Sequence, residues 1–184
     1  MKMINICSSL IIGCLICTTV IAQENKNVVT TDADDRGYIV SVGQEAPDFI
    51  IEYLDGTTIP LSNLRGKVVM LQFTASWCSV CRLEMPFIER DIRQKHKDNP
   101  DFVLIGIDLK ESAEVTDIFT KEMKISYPIT LDTDGSRFAL FCDPKAGVTR
   151  NIIIDKSGKM AMLTRLFEEN EFNEMVTLIN TLLK

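Results

Sequence analysis

The sequence predicts an α/β fold: a sandwich built on a central mixed β-sheet flanked by helices. Three observations carry this. Two short apolar runs rich in β-formers, Lys67–Phe73 and Phe102–Leu109, are each followed by sequence with helical spacing. A late pair of apolar runs around the turn Lys156-Ser157-Gly158 reads as an antiparallel hairpin. The chain then closes on an amphipathic segment.

In order, "APDFIIEYLDGTTIPLSNLRGK" places the turn signal Asp55-Gly56 between two short apolar runs, the pattern of a β-hairpin. "KVVMLQF" has the continuous apolar character of a strand buried on both faces. Helix-forming sequence runs from Ser79 to Lys97 and contains Pro86, which must remove one helical hydrogen bond. "FVLIGIDL" is a second buried strand. Ser112 is a suitable N-cap for a helix to Met123 that sets Val115, Ile118, Phe119 and Met123 on its apolar side. "RNIIID" and "KMAMLTRLF" form the late hairpin, with Met160 and Met162 expected on one core face. In the last helix Phe172, Met175, Leu178, Ile179 and Leu182 share a face.

Residues 1–22 read as an export leader. Lys2 gives a positive start, Ile4–Val20 is mostly apolar, and Val20 and Ala22 suit a cut before Gln23. A lipoprotein box at "IIGC", ending in Cys14, and an uncleaved membrane anchor stay open beside it. Gln23–Arg36 is polar and acidic, and residues 23–41 read as a flexible linker, with one domain over 42–184. The net charge of −6 and the lack of any basic stripe argue against nucleic acid as a partner.

"FTASWCSVCRLEMP" holds the chemistry. Of 6 cysteines, Cys7, Cys14 and Cys17 lie in the leader, leaving Cys78, Cys81 and Cys142, an odd set that does not suit a disulfide framework. Zinc needs four ligands, and beyond the pair only Cys142 and His96 remain. A thiol–disulfide exchanger needs one thiolate ready to attack and a second thiol to resolve the mixed disulfide. At a helix N-terminus, free N–H groups favour a thiolate at Cys78, and Cys81 follows one turn on. Cys142 is either a buried apolar-face residue or a third redox thiol.

"VVMLQFTASWCSVCRLEMP" resembles the active-site segment of the thioredoxin superfamily, in particular its exported TlpA/ResA-like branch. "APDF…DGTTIPLSNLRGKVV" resembles the N-terminal hairpin that this branch shares with peroxiredoxins. "NIIIDKSGKM" resembles its late hairpin, and Lys110–Asp132 falls where it carries an inserted helix and strand. The resemblance implies a thioredoxin-like domain without cofactor or metal that exchanges disulfides with envelope proteins. It further implies a periplasmic or cell-envelope location and recharging by a membrane thiol carrier. Trp77 would shape the docking surface, Arg82 matches the family's basic residue and Glu84 an acid linked to thiol proton chemistry. Glu84 also has a plain reading as a first-turn carboxylate facing solvent. The position of the thioredoxin buried aspartate holds Gln72, which cannot shuttle a proton, so Glu84 is the better candidate.

The family's cis-proline loop falls at Val148, Thr149 and Arg150, with threonine where proline is expected. A cis bond before a non-proline residue costs about 2.5–4 kcal/mol. The expectation is therefore a trans Val148–Thr149 bond in a reshaped loop still close to Cys78. Arg150 reads either as a cation favouring the thiolate or as a surface strand residue. Charge-free Ser79-Val80 between the cysteines points to a reductant rather than an oxidant. A thiol peroxidase is the second functional expectation, since Arg150 falls where peroxiredoxins carry an arginine. Against it, Thr74 precedes Cys78 by four residues rather than three. A binding module with a purely structural disulfide is the third.

Overall fold

The structure, a computed structural model, describes residues 36–184. The leader, and the linker up to Asp35, lie outside the described residues. The chain forms strands β1 (Ile50–Glu52), β2 (Thr58–Pro60) and β3 (Val68–Thr74), then helix α1 (Ser79–Ile88). A π-helical turn, Glu89–Arg93, and the short α2 (Gln94–His96) prolong α1. There follow β4 (Phe102–Leu109), α3 (Ala113–Met123), β5 (Ile129–Asp132), β6 (Arg150–Ile154), β7 (Met160–Arg165) and α4 (Glu169–Leu182).

The main sheet has five strands in the order β5-β4-β3-β6-β7. β3, β4 and β5 run parallel, whereas β6 and β7 join antiparallel. The mixed sheet follows from the connections. Parallel neighbours need a crossover, which α1 and α3 supply, whereas the three-residue turn after Asp155 permits only an antiparallel return. β1 and β2 form a separate two-stranded hairpin.

All seven residues of β3 are buried, which explains why its sequence is apolar throughout rather than alternating. One face of the sheet packs Leu71, Phe73, Ile107 and Ile152 beneath Ile51 of the hairpin, Phe138 and Phe141. The other packs Met70, Leu104 and Ile153 beneath Met85 and Ile88 of α1, Phe119 of α3 and Met175 and Ile179 of α4. Each such fully buried side chain contributes about 1.5–3 kcal/mol through removal from water.

Tertiary packing moves three expected features. The domain begins before residue 42: Tyr38 is 1 % exposed, pairs with Cys142 across an isolated bridge and donates its hydroxyl to the Thr164 carbonyl at 2.6 Å. The expected linker therefore overran into packed structure, because the apolar run Tyr38–Val40 is too short to show a periodicity. On α3 the inward residues are Thr116 and Phe119, whereas Val115 and Ile118 are 39 % and 51 % exposed. The helix is rotated because the Thr116 hydroxyl donates to the buried Asp108 carboxylate at 2.6 Å. Met160 and Met162 face different cores, since an irregularity between Ile153 and Ile154 shifts the β6–β7 register and reverses the alternation.

Candidate active site

The loop Ala75–Trp77 leaves the C-terminal end of β3 and delivers the cysteines to the start of α1. It is pinned from two sides. Ser76 donates its backbone N–H and its hydroxyl to Glu111, both at 2.6 Å. Its carbonyl accepts from Arg82 Nε at 2.7 Å. Arg82 also lies over the Phe119 ring and pairs with Glu122, tying the loop to α3.

Cys78 is the N-cap of α1, and its Sγ accepts the Cys81 N–H at 3.1 Å. A sulfur there receives one of the free N–H groups of the first turn, and the helix dipole favours negative charge on it. Cys78 and Cys81 are joined by a disulfide. Cys78 is 6 % exposed and Cys81 wholly buried, while the neighbouring Trp77 is 65 % exposed. Pro86 sits within α1, and the helix loosens into its π turn three residues later.

The Val148–Thr149 loop faces the pair. Thr149 Oγ1 donates to Cys81 Sγ at 2.5 Å and lies 4.0 Å from Cys78 Sγ. The Val148–Thr149 peptide bond is cis, not trans as expected. The expectation counted only the local preference of an isolated peptide. In the folded chain Thr149 is fully buried, its carbonyl accepts from Leu166 N–H and Arg150 enters the sheet directly after it. These tertiary contacts decide the geometry.

Arg150 is neither a surface residue nor hydrogen-bonded to either sulfur. It is 1 % exposed, donates to the Gly147 and Arg36 carbonyls at 2.9 and 2.5 Å, and stacks over Tyr38 at 4.6 Å. Cys142 is buried in the core on the same side of the sheet and takes no part in the disulfide.

Beneath α1, on the opposite face, lies a buried polar network. Glu84 is 2 % exposed, which removes its reading as a solvent-facing carboxylate. Asn151 Nδ2 donates to one of its oxygens at 2.7 Å and Gln72 Nε2 to the other at 3.4 Å. Gln72 in turn accepts from the Tyr127 hydroxyl at 2.8 Å. Burial outweighs these donors and pushes the Glu84 carboxyl up to about 7. A second acid, Asp108, is pushed up to about 7, first by burial and further by neighbouring Glu111.

Sequence reasoning missed Asn151, Tyr127, Glu111 and Asp108. Asp108 and Asn151 had a usable signal, as polar residues inside otherwise apolar strands. Glu111 and Tyr127 had none, because their partners lie 35 and 55 residues away in the chain.

A redoxin family model matches residues 41–179. The chain belongs to the redoxin family. This redoxin is 29 % identical over 141 residues to the thiol-disulfide oxidoreductase ResA of Bacillus subtilis (strain 168), covering 76 % of each chain. Its fold matches a solution structure from Bacteroides thetaiotaomicron, proposed to be a protein disulfide isomerase. That match has a TM-score of 0.78 and 56 % identity over 80 % of this chain and 92 % of the other. A Chlorobium tepidum crystal structure, assigned as the thiol:disulfide interchange protein DsbE, matches at TM-score 0.69 and 25 % identity over 79 % and 99 %. With its Cys-x-x-Cys pair, this redoxin is a thiol–disulfide oxidoreductase of the thioredoxin type. Among the described residues no helix is long and apolar enough to cross a membrane.

Proposed function

We propose that this redoxin is an exported reductant of envelope-protein disulfides, in which Cys78 attacks and Cys81 resolves. The observation that carries this is the difference between the two sulfurs. Cys78 caps the helix, accepts an N–H and is the more exposed, whereas Cys81 is enclosed beneath it. In the reduced protein the Cys78 thiolate attacks one sulfur of a substrate disulfide. An S–S bond to Cys78 forms, and the other substrate sulfur leaves as a thiolate and takes up a proton. Cys81, deprotonated, then attacks Cys78 Sγ. The mixed disulfide breaks, the second substrate thiol is released and Cys78–Cys81 is oxidised by two electrons. A membrane dithiol carrier returns those electrons.

Thr149 and Glu84 assist. A hydroxyl donated to Cys81 Sγ favours its thiolate. Glu84 titrates at about 7, near the working pH of a proton acceptor, and sits one helical turn beyond Cys81. Trp77 gives the substrate an exposed aromatic surface beside Cys78, and Val148 offers its backbone to the substrate peptide. The uncharged Ser79-Val80 supports the reducing direction, because no cation between the cysteines stabilises the reduced state. Export rests on the reading of residues 1–22.

Trapping tests the assignment. Cys81→Ala should accumulate mixed disulfides with envelope proteins through Cys78, and the Cys78→Ala/Cys81→Ala double variant should accumulate none. Capture through Cys142 instead would overturn it. An equilibrium titration against glutathione tests direction: a pair more oxidising than glutathione would contradict the reductant reading.

A further inference from the structure

An open pocket of about 470 Å³ borders the Val148–Thr149 loop on the side away from Glu84. Its lining includes four cations, Arg36, Lys145, Arg150 and Arg165, and one acid, Asp143. Asp143 Oδ1 is occupied by the Lys145 N–H at 2.8 Å. Arg36 is paired with Glu171 at 2.8 Å. Arg150 and Arg165 stand directly opposite each other in the β6–β7 register. Like charges so placed repel and weaken strand pairing. Among the described residues neither guanidinium has a salt-bridge partner, and in each the buried Nη1 has no hydrogen-bond partner. Arg150 is 1 % exposed, so its unsatisfied donor cannot be explained by water on an open surface. Burial first, and then the Arg150 charge, pushes the pKa of Arg165 below its ordinary value.

Two opposed cations that line one cavity, with no carboxylate partner among the described residues, leave positive charge there that an anion in the cavity offsets. The pocket is continuous with the substrate loop. Gly147 lines it, Thr149 touches both cysteines, and Leu166 both lines it and donates to the Thr149 carbonyl. Gly147 has no side chain to screen the Arg165 guanidinium beside it.

We infer that Arg150 and Arg165 form a carboxylate subsite that receives an acidic side chain next to the cysteine of the protein substrate. This rests on the reductant reading and names a feature of its substrates: an Asp or Glu flanking the reducible disulfide. Buried Arg150, held at Nε and Nη2, supplies fixed positive charge behind the site, and the partly exposed Arg165 presents the guanidinium that an incoming carboxylate meets. Neither touches the reacting sulfurs, so the subsite acts on recognition rather than on bond exchange.

The test uses two disulfide-bonded peptides that differ only in Glu or Gln beside the cysteine. Reaction with the reduced protein is followed by the fluorescence of Trp77, the single tryptophan. The Glu peptide should react about tenfold faster at low salt, the scale of one charge-assisted contact. The advantage should shrink as salt rises and when inorganic phosphate competes. Arg165→Gln should bring the ratio close to one, while Arg165→Lys keeps part of it. Equal rates for the two peptides in the unmodified protein would overturn the inference, whatever the variants do. So would a ratio that survives Arg165→Gln. Phosphate that shifts the amide resonances of Gly147 and Leu166, without any discrimination between peptides, would show a free-anion site and overturn the substrate assignment. If neither peptide is reduced, the reductant reading fails instead. The oxidised protein with the two dithiol peptides then reads the same ratio in reverse.

Discussion

Replacing Glu84 by glutamine should remove a pH dependence of stability and raise stability at alkaline pH. The glutamate titrates at about 7 in the folded protein against an ordinary 4.5. Between these values the folded state holds more protons than the unfolded one, so stability falls as pH rises. The contribution is fully present below 4.5 and lost as pH passes through about 7. At 1.36 kcal/mol per pKa unit the whole loss is about 3 kcal/mol, of which about 2–3 kcal/mol falls between pH 5 and pH 8. Because Glu84 is almost completely buried, solvent screening does little to reduce this. Glutamine stays neutral and keeps an oxygen for Asn151 or Gln72. The assay is urea unfolding of the oxidised protein from pH 5 to pH 8, with the variant's profile subtracted. Asp108 titrates in the same window in both proteins and cancels in the difference. Parallel profiles would refute the reasoning and mean that Glu84 is ionised in the fold at little cost.

Three further outcomes follow from the same geometry. In the reduced protein at neutral pH, iodoacetamide should modify Cys78 before Cys81, since only Cys78 meets solvent; mass spectrometry of partially labelled protein reads the order, and Cys81 labelled first would contradict it. Thr149→Val, which removes the hydroxyl donated to Cys81 Sγ without changing side-chain shape, should raise the thiol pKa of the Cys81 side of the pair by about one unit. The pH dependence of alkylation checks this, and an unmoved profile would deny Thr149 any part in thiolate stabilisation. Thr116→Val should cost about 1–3 kcal/mol at pH 8 and less at pH 5, because it strips the ionised Asp108 of its hydroxyl donor; equal costs at both pH values would mean that Asp108 keeps one protonation state across that range.

The strands other than β5, the main helices, the Asp55-Gly56 hairpin and the cysteine pair could be read from the chain alone, whereas β5 followed only from the family resemblance. Each rests on residues that are close in sequence. Apolar continuity reports a strand buried on both faces, a serine or cysteine before helical spacing reports a cap, and the x-x spacing reports one helical turn. What tertiary structure alone decided lies between distant segments. Glu84 became a buried acid only because Asn151 and Gln72 meet it from β6 and β3. The β6–β7 irregularity turned Met162 away from Met160, and an Asp108–Thr116 bond rotated α3 against its own apolar stripe. The Val148–Thr149 geometry was misjudged from sequence because a peptide's intrinsic preference was weighed without the contacts that enclose Thr149. The opposition of Arg150 and Arg165 is of the same kind. Fifteen positions separate them in the chain, and only the β6–β7 pairing makes them neighbours, so their shared charge has no local signature.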